Sequence, residues 1–417
     1  MVYFILSTAF FIGGIGIIYW LHNQYHLDIV VEPITPPQNV PLISICIPAR
    51  NEERNIRACV EAALGQDYPH LEVIVLDDRS TDATSEILRQ LSLESASLLA
   101  AERKQHTLTG TRAISLHILS GSDLPSGWAG KPHALYQASA AAHGEWLCFI
   151  DADTFLAPET ISSCYAKAIK TKADMFTIMT FQILGSFWEK TVMPLVMTAL
   201  SVGFSPRKVN DPKTKDAIAN GQFIMIKRSV YDAIGGHESV KDNIVEDKAI
   251  SQQVKWNGYR LIVADGMKVA STRMYTSLPE MWEGWTKNIY LGLSDQPGLM
   301  VLGVFGALLT VLASLFLPVW PLLGIFWYRN GGEWMALALI VESLLLWGYL
   351  IYLRARVAIN MEISPWYALT TPLGAGVFGA MMFTSAWRVV TRRGVTWKGR
   401  VYNGCTNRNS RSRLGGE

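Results

Sequence analysis

No glycine-rich phosphate loop follows the first strand-like run of this 417-residue sequence. Without G-x-G-x-x-G or a Walker-type cradle, a dinucleotide oxidoreductase and a P-loop ATPase both lose the backbone that holds their phosphates. Cysteine is scarce: Cys46, Cys59, Cys148, Cys164 and Cys405 are odd in number and scattered, mostly in apolar runs. That excludes a disulfide framework and a zinc site, and points to buried thiols in a reducing compartment. Charge is scarce too, at 17% of residues, and balanced, with 37 basic against 35 acidic side chains for a net +2. Such a balance gives no global field for polyanions, so nucleic acid is not an expected partner. What the chain has instead is apolar residues, 50% of the total, and 14 tryptophans, the balance of a protein that meets lipid as well as water.

Residues 3–20 carry no charge and end in aromatics, close to the roughly 20 residues that cross hydrocarbon. No basic run precedes them and no small-residue cleavage site follows, so they read as an uncleaved anchor. Three more apolar segments lie at 298–327, 334–353 and 363–387. The expected organisation is a transmembrane anchor over 1–24, a linker over 25–40, a soluble domain over 41–290, a transmembrane region over 291–390 and a basic tail over 391–417. From Arg388 onward there are eight basic side chains and one acid, Glu417, which marks the tail as cytoplasmic. Three simple crossings would put that tail on the far side from a cytoplasmic domain. Either segment 298–327, broken by Pro318 and Pro321, is a hairpin or re-entrant element, or one segment does not cross. Glu342 inside 334–353 must face protein or a polar cavity, and a packing partner is expected.

Within the soluble region, strand-like runs at 41–48, 71–76, 114–119 and 145–150 alternate with helical patterns at 55–66, 82–91 and 131–142. This order implies an α/β fold with a mixed, mostly parallel sheet flanked by helices. Ligands of such sheets sit at the carboxyl ends of strands, and the acids fall there. Asp151 and Asp153, two apart, project to the same side and can share a divalent ion with diphosphate oxygens. Their alternative is a turn before Pro158. Asp77 and Asp78 close an earlier strand, and the run Pro48-Ala49-Arg50-Asn51-Glu52 closes the first; all could also be helix-start punctuation. Glu246 and Asp247 open EDKAISQQVKW after a glycine-containing run, 235–243, expected to be flexible. They either complement the helix dipole, or Asp247 is a general base for an acceptor hydroxyl. Residues 191–204 (TVMPLVMTALSVGF) are uncharged and too short to span, so they form buried core or an interfacial path for lipid.

Taken in order, IPARNEE (47–53), LDDRSTD (76–82), GKPHAL (130–135), DAD (151–153) and VED (245–247) resemble the membrane-bound family 2 glycosyltransferases, which have a GT-A, Rossmann-like fold. VNDP (209–212) and TWKGR (396–400) resemble the hopene-associated and carotenoid-type members. The resemblance implies one N-terminal and about three C-terminal transmembrane segments around a cytoplasmic catalytic domain in the plasma membrane. It implies that Pro48, Glu52 and Asp78 or its neighbour Asp77 hold the nucleoside of a nucleotide-sugar donor, a UDP-sugar by expectation. Lys131 and Asp151 would lie at its phosphates, Asp153 with Asp151 would hold Mg2+ or Mn2+, and Asp247 would be the base. Glu246, Trp282, Trp285 and Lys287 are candidates for the acceptor side or for supporting roles, the aromatics serving alternatively as anchors at the bilayer surface.

The implied reaction moves one sugar, with inversion, to a lipid or isoprenoid-type acceptor in the bilayer. Processive members of the wider family carry Q-x-x-R-W after the base; here the region reads MWEGWTKN (281–288), which argues against a polysaccharide synthase. A non-catalytic binding or transport protein is the reading from another class. The terminal segments show few polar residues besides Glu342 to build its path.

Overall fold

The computed structural model describes residues 8, 12, 13, 16, 27–35, 40–104, 113–203, 205–293, 297–316, 319–330, 334–391, 395–397 and 400–402. Most of the expected anchor, the tail beyond residue 402 and Cys405 therefore lie outside the described residues. The chain divides into two compact units. One holds Leu27–Ile183 and Pro206–Met274; the other joins Leu184–Ser205 to the helices from Tyr275 onward.

The first unit is built on strands β1 (Ile43–Ala49), β2 (His70–Asp77), β3 (Ala113–Ser120), β4 (Trp146–Phe149), β5 (Thr154–Leu156), β6 (Met175–Met179), β7 (Phe181–Gln182), β8 (Ile224–Lys227), β9 (Leu261–Asp265) and β10 (Ala270–Thr272). Seven of them form one sheet in the order β3-β2-β1-β4-β8-β6-β9, and β5-β10-β7 make a smaller one. In the large sheet β8 alone runs antiparallel to its neighbours, β4 and β6, and the remaining pairs are parallel. The expectation of a mixed, mostly parallel sheet therefore holds. Its strands read as unbroken apolar runs because both faces are covered. In β1, Ile43, Ile45 and Ile47 enter one core, with Ile56, Val60 and Phe176, while Cys46 enters the other with Leu147 and Phe149. Cys46, Cys59, Cys148 and Cys164 are free and buried, and burial pushes the Cys46 thiol up to about 12, which leaves it inert as a nucleophile.

Helices α1 (Ile56–Leu64), α2 (Thr84–Lys104) and α3 (Gly130–Ala140) follow β1, β2 and β3, and α4 (Thr160–Thr171) follows β5. Residues 29–31, inside the stretch expected to be a linker, run beside β9: Val31 N donates to Asp265 O and Asp265 N to Ile29 O, each at 2.8 Å. Val31 is fully buried there. The end of the edge strand β9 is thus bridged by the chain's own early segment, while the Asn210 side chain pairs with the N–H and C=O of Val263.

The second unit contains α5 (Phe187–Gly203) and, later in the chain, a run of long apolar helices. Segment 298–327 resolves into Pro297–Phe316 and Trp320–Arg329, the latter with a proline in its first turn, where a missing N–H costs nothing. Segment 334–353 is the start of a longer helix, Trp334–Asn360, and segment 363–387 becomes a 3-10 turn, Pro365–Thr370, leading into Thr371–Val390. Glu342 finds the packing partner expected of it: Thr8 Oγ1 donates to its Oε1 at 2.7 Å. Among the described residues one helix, over Ala336–Asn360, is long and apolar enough to cross a membrane, and Val301–Leu312 is a shorter apolar stretch.

Candidate active site

The carboxyl edge of the large sheet gathers the acids that the sequence placed at strand ends. The loops after β1 and β2 are laced together by backbone and side-chain hydrogen bonds. Asn51 N donates to Ser80 Oγ at 3.0 Å, Thr81 N to Asn51 Oδ1 at 2.8 Å, and Glu52 N to Thr84 Oγ1 at 2.8 Å. Asn51 and Arg79 take positive φ, 54° and 59°, to make these tight turns. Asp78 is buried, with its N–H on Ala49 O at 2.7 Å, and Arg50 Nη1 donates to its main-chain oxygen at 2.6 Å. The Asp77 carboxylate accepts from Ser80 N at 3.0 Å and from Ser85 Oγ, so it organises the start of α2. Pro48 and Glu52 are half-buried on the same edge.

Lys131, in the first turn of α3, reaches two carboxylates at once. Its Nζ lies 2.6 Å from Asp151 Oδ1, just past β4, and 2.6 Å from Glu246 Oε1. Glu246 and Asp247 open helix α6 (Glu246–Trp256), as the sequence predicted. Asp247 is fixed by backbone: its Oδ2 accepts from Gly221 N at 3.1 Å and its Oδ1 from Lys248 N at 2.7 Å. Burial by itself would lower the Lys131 pKa, but the carboxylates of Asp151, Glu246 and Asp247 hold it well above the usual lysine value. Burial raises the pKa of both Glu246 and Asp247, with Lys131 opposing it. An aspartate of raised basicity, held still by two N–H groups, can accept a proton.

Two features of this site had no place in the sequence reading, and a third departs from it. The first is Gly221, which lies before β8; because β8 runs antiparallel, its start falls at the same edge as the end of β4, with Phe149 opposite Ile224. A Cβ at Gly221 would stand 3.1 Å from both Asp247 Oδ2 and Lys131 Nζ, so glycine is what lets the backbone approach the acid. Second, its neighbours Asn220 and Gln222 form a polar lattice: Asn220 Nδ2 donates to Ile178 O at 3.0 Å, and Gln222 Oε1 accepts from Thr180 Oγ1 and from Gln182 Nε2. The polar triplet Asn-Gly-Gln before an apolar run was the available signal. Third, the run 235–243 is ordered where flexibility was expected. It contains the 3-10 helix Gly236–Val240, with His237 and Val240 buried. Gly236, at φ 49°, has the Tyr231 ring 2.6 Å from where a Cβ would be. Tyr231 OH lies 2.8 Å from His237 Nδ1 and 2.9 Å from Ser139 Oγ on α3, bracing the helix that carries Lys131.

Asp151 and Asp153 flank the buried Ala152, and the main-chain oxygen of Asp153 accepts from Thr272 Oγ1 at 2.9 Å. Among the described residues no three His, Cys, Asp or Glu side chains gather into a metal cage. Trp282, Trp285 and Lys287 belong to the other unit, on helix α7 (Leu278–Leu293). There Trp285 is buried, its Nε1 donating to Met193 Sδ at 3.3 Å and its ring edge-on to Tyr275; Trp282 and Lys287 are half-buried.

Residues 40–283 match the family described as "Glycosyltransferase like family 2". The 4,4'-diaponeurosporenoate glycosyltransferase of Staphylococcus aureus (strain USA300) is 28% identical over 376 residues, covering 88% of this chain and 89% of that protein. Its counterpart in strain MRSA252 is 26% identical over 374 residues, with the same coverage. Among solved structures, the mannosyltransferase PcManGT from Pyrobaculum calidifontis in complex with GDP-Man and Mn2+ aligns with a TM-score of 0.51 and 19% identity, covering 94% of this chain and 98% of that one. That likeness shows the fold, a GT-A-like mixed α/β arrangement.

Proposed function

This chain belongs to the glycosyltransferase-like family 2 and is a glycosyltransferase; from that premise we propose that it moves one sugar, with inversion, from a nucleotide-sugar donor to a lipid or isoprenoid-type acceptor. The observation that carries the reading is Asp247: a half-buried carboxylate of raised pKa, immobilised by the N–H groups of Gly221 and Lys248. Asp247 takes the proton of an acceptor hydroxyl, or orients a carboxylate acceptor, as that oxygen attacks the sugar carbon. Lys131 and the strand-end residues Pro48, Glu52, Asp77 and Asp78 hold the donor, with Lys131 set to meet its phosphates.

The strand-end acids also fit a divalent ion. Mg2+ and Mn2+ are commonly held by one or two carboxylates together with substrate phosphates rather than by a protein-only cage. Asp151 and Asp153 supply such hard oxygen donors, and the bound ion would neutralise charge on the departing nucleoside diphosphate. PcManGT was solved with GDP-Man and Mn2+, and the S. aureus relative is named for a carotenoid carboxylate acceptor. Both support the same assignment here.

A plasma-membrane location, with several crossings and a cytoplasmic catalytic domain, completes the proposal. Helix α8 (Pro297–Phe316) exposes Val301, Leu302, Phe305, Leu308, Leu309 and Leu312, a surface suited to lipid rather than water. The test offers a panel of nucleotide sugars to detergent-solubilised protein with divalent metal, followed by lipid extraction and mass measurement. A lipid product heavier by one sugar, with release of nucleoside diphosphate, is expected. Release without any glycosylated lipid, or growth of a polymer, would overturn the acceptor or the single-transfer reading.

A further inference from the structure

After helix α9 (Trp320–Arg329), helix α10 (Trp334–Asn360) continues past the last residue of its most apolar stretch and carries Arg354 into the interior. Arg354 is 8% exposed. Its Nη2 donates to the main-chain oxygen of Thr191 on α5 at 3.2 Å, while Nε and Nη1 are buried and meet no acceptor. The Thr191 hydroxyl is buried and unmatched beside it. The final long helix, α11 (Thr371–Val390), approaches the same carbonyl through Gly374, where a Cβ would stand 2.5 Å from Thr191 O.

A guanidinium keeps its charge at any ordinary pH, so it cannot escape burial by losing a proton. Among the described residues no ion pair includes it; Glu342 on the same helix is served by Thr8. Ionisable residues within a spanning helix pair with one another or mark a functional site. Arg354 lies six residues before the end of α10, about 9 Å along the helix axis. That depth suits a head group near one membrane surface.

We propose that Arg354, with Thr191 beside it, holds the oxyanion of an amphiphile, a carboxylate or phosphate borne on an apolar chain, and so selects an anionic acceptor. This rests on the reading of the chain as a lipid glycosyltransferase. Charge-assisted hydrogen bonds from two buried donors discriminate strongly against a neutral alcohol of the same length.

The test uses full-length protein in phosphatidylcholine nanodiscs and two photoreactive probes, hexadecanoic acid and hexadecanol, each with a diazirine near the head. Wild-type protein should capture the acid about tenfold better than the alcohol, with cross-links mapping to α5 and α10. Arg354→Met should bring the ratio near one, and Arg354→Lys should keep part of it. Suppression of acid capture by added phosphatidylglycerol assigns the site to a phospholipid phosphate; persistence assigns it to the carboxylate amphiphile. Equal capture of both probes by wild type, cross-links elsewhere, or an unchanged ratio in Arg354→Met would overturn the proposal. Should Arg354→Met fail to fold, the two-probe ratio and the cross-link map of the wild type decide alone. No arm contains a sugar donor. Capture here with no glycosylated lipid in the donor-panel assay therefore sinks the lipid-acceptor reading, whereas lipid glycosylation there without capture here sinks this one.

Discussion

Lys131 in the sheet unit lies 2.6 Å from both Asp151 and Glu246, whereas Arg354 in the helical unit has one main-chain oxygen as its partner. The first cation is compensated from within, by carboxylates delivered from the end of β4 and the start of α6. Removing it strands the buried Glu246 beside Asp151. The second is compensated by nothing the described residues provide, and its charge is matched only by something brought in. The sheet unit thus keeps its electrostatics closed, as the proposed handling of a charged donor requires. The helical unit leaves its charge open.

The largest effect should come from the closed side. Asp247→Asn keeps size and most hydrogen bonding but cannot take a proton, so transfer should fall about 10²–10⁴-fold while donor binding by calorimetry is kept. Since burial raises the Asp247 pKa against the pull of Lys131, wild-type transfer should be lost on acidification at a higher pH than for an ordinary aspartate. Near wild-type transfer by the variant would return Asp247 to the role of a helix-start acid.

Replacing each cation with methionine sharpens the contrast directly. Lys131→Met leaves Glu246 buried beside Asp151 and should cost about 3 kcal/mol, read as a lower thermal midpoint. Arg354→Met removes an unmatched buried charge, and without bound amphiphile it should be neutral or stabilising. Equal losses in both variants would break the comparison.

His237 offers a smaller, pH-dependent effect. Burial first, and then Lys131, depress its pKa from 6.5 to about 3. Between those values the unfolded chain binds a proton that the folded chain refuses, so stability falls as pH drops through this window. From about pH 7.5 to about pH 5 the loss should be about 2 kcal/mol, and His237→Gln should flatten it in denaturation measured at both pH values. The smallest expected effect is that of Gly221→Ala, whose Cβ meets Asp247 Oδ2 and Lys131 Nζ at 3.1 Å. A shift of the base by a few tenths of an ångström should lower kcat roughly tenfold with little change in donor KM. An unchanged kcat would mean that the base is not held as tightly as its hydrogen bonds imply.

The first half of the sheet was legible because strands buried on both faces leave unbroken apolar runs, as at Ile43–Ala49 and His70–Asp77. The strands after residue 150 were not, because β6, β8 and β9 pair out of chain order and no local pattern announces a remote partner. Asp247 could be read from its place at a helix start. The meeting of Lys131 with Asp151 and Glu246 could not, since it depends on three distant segments converging. Arg354 escaped notice for a different reason: hydropathy ended the segment at residue 353, whereas backbone hydrogen bonding carries the helix on to Asn360.

The strip at residues 29–31 that closes the β9 edge is translated early, and its partner Asp265 emerges only after most of the sheet unit has been made. The bridge at the end of β9 is therefore among the last contacts of this sheet to form. A fragment trimmed at Pro41 loses this pairing and bares the N–H and C=O of Asp265, while the Asn210 side chain still covers those of Val263. A soluble fragment meant to behave well in solution should keep the few residues ahead of its first strand, since without them the end of β9 is open to pairing.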